Sequence, residues 1–427
     1  MSASKVIAPF AQRRLKYSAT INDQALGEAT DPDFQLQYID IGNVDSSGVI
    51  HEVVTYRFED APSRARRLVR DGDVIVSTVR TYLQAIAPIL DPPVDLVVST
   101  GFAVVRPRPD LLDPRFCKYL LRESRFLYEV ESRSVGVSYP AINASDLGDI
   151  RVALPPREDQ QRIADYLDRE TAEMDALIAE KGRMLALLEE KRASLITHAI
   201  TRGLDLNVPL KPSGLEWLDQ IPAHWNVMQL KRTWSSSEYG ISESIRDEGG
   251  IRILRMSCIT KDGLVDLNNA GQVEEVAESL LLHRGDLLFN RTNSLDQIAK
   301  VGWLPDEPEN PTSFASYLVR IRANERVRQD YLVALLNSRD FLLFARCNAI
   351  PAIGQANLSP SRYGDIHIPL PPLDEQATIV SHLSTRIARS KKLEDDLQAS
   401  IDLLKERRSA LITAAVTGQI PIAGMTA

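Results

Sequence analysis

The side chains best able to transform a substrate occur here in arrangements that suit no familiar catalytic site. Six histidines (His51, His198, His224, His283, His367 and His382) are dispersed without ligand spacing, and Cys117, Cys258 and Cys347 are odd in number and unpaired in spacing. Neither a metal centre nor a disulfide framework is expected from them. No Gly-rich loop ends in Gly-Lys-Ser/Thr and no Gly-x-Gly-x-x-Gly follows a strand, so the usual phosphate and dinucleotide cradles are missing. What remains is cation chemistry. Only 12 of the 50 Lys and Arg residues are Lys, and the forked Arg side chain suits bidentate contacts with phosphate or guanine. A GC-rich genome would leave the same bias, so both readings stand at this point.

Bulk properties narrow the class. At 427 residues with 44% hydrophobic content, two to three domains with real cores are expected. The net charge is −8 and no segment is net basic, which taken alone argues against a nucleic-acid footprint. No apolar run follows Arg13 and Arg14, and no stretch approaches ~18 continuous apolar residues, so a cytoplasmic chain without signal peptide or membrane span is expected. Asp91-Pro92-Pro93-Val94 resembles the Asp-Pro-Pro-Tyr/Phe loop of adenine methyltransferases, where an aromatic stacks on a flipped base. Val94 cannot supply that stack and no cofactor loop accompanies it, so the stretch reads as a turn and the chain as non-catalytic.

The elements that must position any binding residue are duplicated. Ile150-Arg-Val-Ala-Leu-Pro-Pro-Arg-Glu-Asp-Gln160 recurs 216 residues later as Ile366-His-Ile-Pro-Leu-Pro-Pro-Leu-Asp-Glu-Gln376, and 18 of the 52 aligned positions through Thr201 and Thr417 are identical. Upstream, Gly72-Asp73-Val-Ile-Val-Ser-Thr-Val-Arg80 aligns with Gly285-Asp286-Leu-Leu-Phe-Asn-Arg-Thr-Asn293, and Leu15-Lys16 with Leu230-Lys231. A period this long implies a duplicated domain plus helix. Short β-rich runs, among them Asp73–Ser77, Phe102–Val105 and Asp286–Phe289, mark both globular parts as mixed α/β (α+β).

Each Pro-Pro pair opens a long helical pattern with acidic residues in its first turn (Glu158, Asp159; Asp374, Glu375). Ile163, Leu167, Met174, Leu177, Met184, Leu188 and Leu195 outline one coiled-coil seam, and Ile379, Leu383, Leu393, Leu397, Leu404 and Leu411 the other. Helices this long need a partner surface, and the natural partner is the other copy. The expected order is a globular domain at 1–153, a helix at 154–203, a linker and second domain at 204–369, a second helix at 370–418 and a tail at 419–427. A chain that leaves along one helix and returns along the other makes the pair antiparallel, with pseudo-two-fold symmetry that matches the local symmetry of duplex DNA. A coiled-coil spacer between unrelated binding modules is the competing architecture.

At Leu154-Pro-Pro-Arg-Glu-Asp-Gln160 and Leu370-Pro-Pro-Leu-Asp-Glu-Gln376 the chain resembles the specificity subunit of type I restriction-modification systems, in which a Leu-Pro-Pro-x-x-Glu-Gln signature opens each conserved helix. The second copy fits fully, while the first has Asp159 in place of Glu. Ile-Pro-Ala-His-Trp (221–225) and Leu-Phe-Asn-Arg-Thr-Asn-Ser (288–294) extend the resemblance over the whole chain. It implies two target-recognition domains, each reading half of a split duplex sequence, with the helices setting the spacer and docking two methyltransferase subunits. Leu154, Pro155, Pro156, Gln160, Leu370, Pro371, Pro372, Glu375 and Gln376 would serve that docking. S-adenosylmethionine would be held by those partners, which methylate adenine. ATP and magnesium would belong to a restriction subunit where one joins, and no membrane is involved.

Under that resemblance, base reading calls for forked or amide side chains on loops that enter a groove, with smaller polar side chains positioning the backbone. The candidates are Arg64, Arg66, Arg67, Arg80, Tyr82, Arg133, Ser134, Ser138 and Tyr139 in the first domain. In the second they are Arg291, Asn293, Ser294, Gln297, Lys300, Asn348 and Gln355. Arg64–Arg67 could equally be a solvated helix face, and Asn143 and Asn357 caps before the long helices. An autonomous methyltransferase and a coiled-coil adaptor that never touches DNA stay open as other classes.

Overall fold

A computed structural model describes residues 10–242, 250–260, 262–352 and 354–425. It divides into two compact units, Met1–Gly182 with Gln398–Ala427 and Arg183–Leu397, so the division falls inside both long helices. Those helices run Arg157–Arg202 and Leu373–Val416, each ~65 to 70 Å long at 1.5 Å per residue. Both end on a left-handed glycine, Gly203 at φ 75° and Gly418 at φ 78°, the usual stop for an α-helix.

The weak resemblance between the two globular parts becomes, in their main sheets, the same strand order. In the first unit an antiparallel sheet has the order Ala19–Ile21, Phe102–Pro107, Val74–Ser77, Ile86–Pro88. In the second the order is Trp234–Tyr239, Leu318–Ala323, Leu287–Asn290, Val301–Trp303. Each unit has a further sheet built around one parallel pair, Gln35–Ile39 with Leu96–Ser99 and Ile251–Leu254 with Thr312–Phe314. Three short helices follow in each: Pro114–Leu120, Ser124–Ser132 and Ala144–Asp149; then Gln329–Leu336, Arg339–Cys347 and Pro360–Asp365. Asn143 caps the third helix of the first unit by accepting from Asp146 N at 2.8 Å, and Ser359 caps its counterpart through Arg362 N at 3.3 Å. The strands Arg151–Ala153 and His367–Leu370 then pair with Gln12–Arg14 and Asn226–Gln229, delivering the chain to each Pro-Pro pair.

Within each unit the start of one long helix lies beside the end of the other. In the first, Ile163, Ala164 and Leu167 share a core with Ile412, Ala415 and Val416, and farther along the helix Arg408 Nε meets Asp175 Oδ1 at 2.9 Å. In the second, Ala199 and Ile200 share a core with Ile379 and Leu383, and Arg192 reaches Glu394 at 3.7 Å. Rising numbers on one helix meet falling numbers on the other, so each pair is antiparallel.

The seam differs from the expected one in phase. Leu177, Met184 and Leu393 are exposed, while the sheltered positions of the first helix run Leu167, Thr171, Met174, Ile178, Lys181, Leu185, Leu188 and Arg192. From each seven-residue layer the step is four then three, not three then four. Thr171 and Arg192 occupy sheltered positions that a purely apolar template skips.

Candidate nucleic-acid interface

The shared Gly-Asp pair is an internal fastener. Gly72 and Gly285 adopt φ 82° and 88°, a turn that a β-carbon would strain, and the following aspartates are buried. Asp73 accepts Arg70 N at 2.8 Å and both Nε and Nη2 of Arg106 at 2.9 and 2.7 Å. Asp286 accepts His283 N at 2.9 Å and Arg322 Nε at 2.7 Å. Donating hydrogen bonds to these carboxylates pushes both guanidinium pKa values up. The fastener holds Val74–Ser77 and Leu287–Asn290 in place, and these strands release the chain toward Arg80 and Arg291.

In the first unit the chain beyond Val79 meets a protruding hairpin. Ala141 bridges both Val79 and Val135, and Thr81 Oγ1 lies 2.8 Å from Ser134 Oγ. Arg80 takes a left-handed conformation at φ 51° and sets its guanidinium 4.9 Å above the Tyr139 ring, a cation–π arrangement. Arg133 bonds Glu129 through Nη2 at 2.7 Å and Nε at 3.0 Å. Arg80, Tyr82, Arg133, Ser134, Ser138 and Tyr139 are thereby gathered at one edge, and Tyr82, Tyr139, Val135 and Val137 are exposed.

Arg64, Arg66 and Arg67 are not on a helix; the last two lie in the strand Ala65–Leu68, with a register shift between Ala65 and Arg67. They separate in role. Arg64 is exposed and its carbonyl accepts Thr100 N at 2.8 Å, while Thr78 N donates to Gly101 O at 2.8 Å, so Arg64 borders the hairpin edge. Arg66 lies over the Phe58 ring at 4.6 Å. Arg67 is half-buried, and burial pushes its guanidinium below the usual range.

The second unit builds the same edge with different side chains. Thr292–Asn293 pairs with Gln355–Asn357, which pairs in turn with Ile350–Ala352. Arg291 stands 5.2 Å from the Tyr239 ring with its Nε buried and unbonded. Asn293 accepts Ser294 N at 2.8 Å. In the adjoining turn Gln297 accepts Lys300 Nζ at 2.6 Å and donates to Asp296 at 2.5 Å. Gln355 is exposed on the hairpin. Asn348 Nδ2 donates to Phe344 O at 3.0 Å at the end of the helix Arg339–Cys347. Asn357 lies in the hairpin strand, where Nδ2 donates to Thr292 Oγ1 at 2.9 Å.

The apolar tips Val135, Val137 and Ile350 are also exposed at these edges, and a pattern of hydrogen-bonding side chains does not mark them. The signal lay in Gly136 and Gly354, hairpin glycines at φ 114° and 72° among β-branched residues.

The Leu-Pro-Pro signature also turns inward. Gln160 Nε2 donates to Leu111 O and Pro155 O, both at 2.9 Å, and its Oε1 accepts Asp113 N at 2.8 Å. Gln376 repeats this with Arg326 O at 3.3 Å, Pro371 O at 2.9 Å and Arg328 N at 2.8 Å. Each amide satisfies three backbone groups, tying the Pro-Pro turn to the segment before a short helix with both its N–H donors and its carbonyl oxygen. Gln160, Gln376, Pro155, Pro371 and Leu370 are buried, and Leu154 is half-buried. The buried members of the signature hold the fold, while Pro156, Glu158, Pro372, Leu373 and Asp374 are exposed and can face a partner. Glu375 accepts Trp225 Nε1 at 3.0 Å and lies 2.7 Å from His224 Nε2, tying the Ala-His-Trp segment to the second helix.

Among the described residues, no group of three or more His, Cys, Asp or Glu is placed to hold a metal ion, and no helix is long and apolar enough to cross a membrane.

The sequence model of a family described as type I restriction modification DNA specificity domain matches residues 66–182 and 225–403. The EcoKI specificity subunit of Escherichia coli K12, a type I restriction enzyme, is 23% identical over 325 residues, covering 74% of this chain and 68% of that protein. The EcoBI specificity subunit of Escherichia coli is 21% identical over 385 residues, covering 83% and 80%. A chain from a solved structure concerned with complex assembly and conformational transition of a type I R-M system superposes with a TM-score of 0.72 at 20% identity, covering 97% of this chain and 99% of its own. That last likeness is one of fold.

Proposed function

The chain belongs to the type I restriction-modification DNA specificity family, and we propose from that membership that it reads a split duplex target, one half at the hairpin edge of each unit. The observation that carries this reading is one scaffold bearing two different edges. The Gly-Asp fastener, the Gln clamp and the sheet order recur in both units. The edge residues do not: Arg80, Tyr82 and Tyr139 face one side of the comparison, and Arg291, Asn293 and Gln355 the other. A scaffold that stays while its loops diverge is what two readers of different sequences require.

The chain itself makes and breaks no bond in this reading. The long helices set the number of base pairs between the halves and dock two methyltransferase subunits, which hold S-adenosylmethionine and methylate adenine in the cytoplasm. A restriction subunit using ATP and magnesium can join. Docking falls to outward helix positions, and Leu177, Met184, Leu187, Leu393 and Leu403 supply exposed apolar side chains there. Methylome sequencing of a host expressing this chain with its methyltransferase partner tests the reading. A methylated motif in two parts separated by unspecified bases is expected, and a continuous motif would sink it.

A further inference from the structure

In the first unit, a cleft of about 310 Å³ is lined by Arg14, Arg125, Glu129, Arg133, Asp149 and Arg151. Arg14 and Arg151 are direct partners across an antiparallel strand pair, a placement in which like charges repel. Asp149 is shared by Arg14 at 3.1 Å and Lys16 at 2.6 Å, and Glu129 is taken by Arg133 at 2.7 Å. Arg125 and Arg151 have no carboxylate within ion-pair distance among the described residues. Five cations therefore stand against two carboxylates on a protein whose net charge is −8. The hydrogen bond from Lys16, with the charges of Arg14 and Arg133 behind it, pushes the Asp149 carboxyl below its ordinary pKa, in keeping with a positive local field.

The duplication provides an internal control. At the matching strand positions the second unit has Gln229 opposite His367. It keeps the ion pair of Lys231 with Asp365 at 2.6 Å and places Asp340 and Asn348 where the first has Arg125 and Arg133. The fold thus does not need the arginines. They were added to, or retained by, one unit only.

We infer that this cleft is a phosphate-binding surface of the first unit, gripping the backbone of duplex DNA beside the hairpin edge. The inference rests on the reading of the hairpin edge as a DNA reader. Arg133 joins the two: it closes the helix Ser124–Ser132 and leads directly into the hairpin at Val135. Arg125 and Arg133, two turns apart on the same helix face, span ~12 Å at 1.5 Å per residue. Successive phosphates of one strand advance about 3.4 Å along the duplex axis, so that span covers three to four of them. The surface carries no sequence information; it adds salt-sensitive affinity to one half of the target and leaves the other half without it.

The test uses the assembled complex with its methyltransferase subunits and a duplex carrying the methylated motif. The variant combines Arg14→Gln and Arg151→His, which copy the second unit's own strand pair, with Arg125→Gln. The slope of log binding constant against log salt is expected to shrink by about 0.9 for each phosphate contact removed, up to about 2.7 for the triple variant. Base preference in both halves stays as in the wild type. A matching triple variant with Lys at the three positions keeps the charge and is expected to restore the slope. An unchanged slope with normal assembly overturns the inference, and so does loss of subunit assembly with the DNA slope intact, which would make the cleft a protein-docking surface. If the wild-type complex shows no preference for its motif, the reading of the hairpin edges fails instead.

Discussion

The two units are the same machine with different fittings. The first presents an edge of aromatic and aliphatic side chains, Tyr82, Val135, Val137 and Tyr139, with Arg80 resting on Tyr139 at 4.9 Å. The second presents Asn293, Ser294 and Gln355 around Arg291, whose ring partner Tyr239 comes from a different strand. Buried fasteners are held in common because removing one partner of a buried pair is costly, whereas a solvent-facing loop can change residue by residue at little cost to folding. The difference between the units therefore separates what the fold needs from what the surface is for.

Breaking the fasteners should give the largest effect and should also split the units. Arg106 has a second carboxylate, Asp23 at 2.5 Å, so Asp73→Ala leaves it partly compensated. Asp286→Ala strands Arg322 and weakens the surroundings of the fully buried Arg320, whose Nη1 lies 4.0 Å from Asp286. Because Arg322 is 38% exposed and can turn to water, and Arg106 keeps Asp23, both losses are expected below the ~3 to 5 kcal/mol typical of a fully buried pair, with Asp286→Ala the larger because Arg320 also loses a neighbouring carboxylate. The readout is built in, since all four tryptophans (Trp217, Trp225, Trp234 and Trp303) lie in the second unit. Urea unfolding followed by tryptophan fluorescence should shift strongly for Asp286→Ala and little for Asp73→Ala, whose loss should show in circular dichroism.

The edges come next. Arg291 is half-buried, and Arg80 is exposed. A side chain already fixed by packing loses less entropy on binding, so Arg291→Ala should cost ~1 to 3 kcal/mol of specific binding if it grips a base, with Arg80→Ala toward the lower end. Each loss should appear only on duplexes altered in the matching half. Equal loss on cognate and scrambled duplexes would make either residue a phosphate contact.

The duplication, the long helices and their stop glycines were legible because they rest on repeated identity and on apolar spacing, which burial imposes directly. Seam phase was not, since Thr171 and Arg192 occupy sheltered positions while Leu177 and Met184 face solvent, and an apolar template follows the leucines. The Gln clamp was hidden for a related reason: nothing in the spacing of Gln160 tells an exposed amide from a buried one answering three backbone groups. Arg80, Tyr82, Arg291, Asn293 and Ser294 could be placed together from sequence because they follow the repeated Gly-Asp strand, whereas the hairpin residues that meet them lie about 50 to 70 residues downstream. The apolar tips escaped because their role depends on how far one hairpin projects.

The smallest expected effect distinguishes the units by acid. One tight turn is built twice, with Asp45 N donating to Val49 O at 3.1 Å in the first unit and Thr260 N to Leu264 O at 2.9 Å in the second. In the first the turn is held by a carboxylate, which accepts Ser47 N, Ser47 Oγ and Val49 N and approaches His51. In the second a hydroxyl does the work, with Leu264 N donating to Thr260 Oγ1 at 3.1 Å. Partial burial, the largest single influence on Asp45, works to raise its pKa, but the hydrogen bonds from Ser47, Val49 and His51 together bring it down to about 2. A carboxyl depressed in the folded state stabilises at pH values above its unfolded pKa, near 3.8, and that contribution disappears as pH falls toward about 2. Because the Asp45 side chain is more than a third exposed, solvent screening keeps the energy small. The backbone amide resonances of Ser47 and Val49 should therefore titrate with a midpoint near 2, while that of Leu264 stays flat over the same range. A shared titration in both turns would mean that the acid response belongs to the fold rather than to the one carboxylate that separates them.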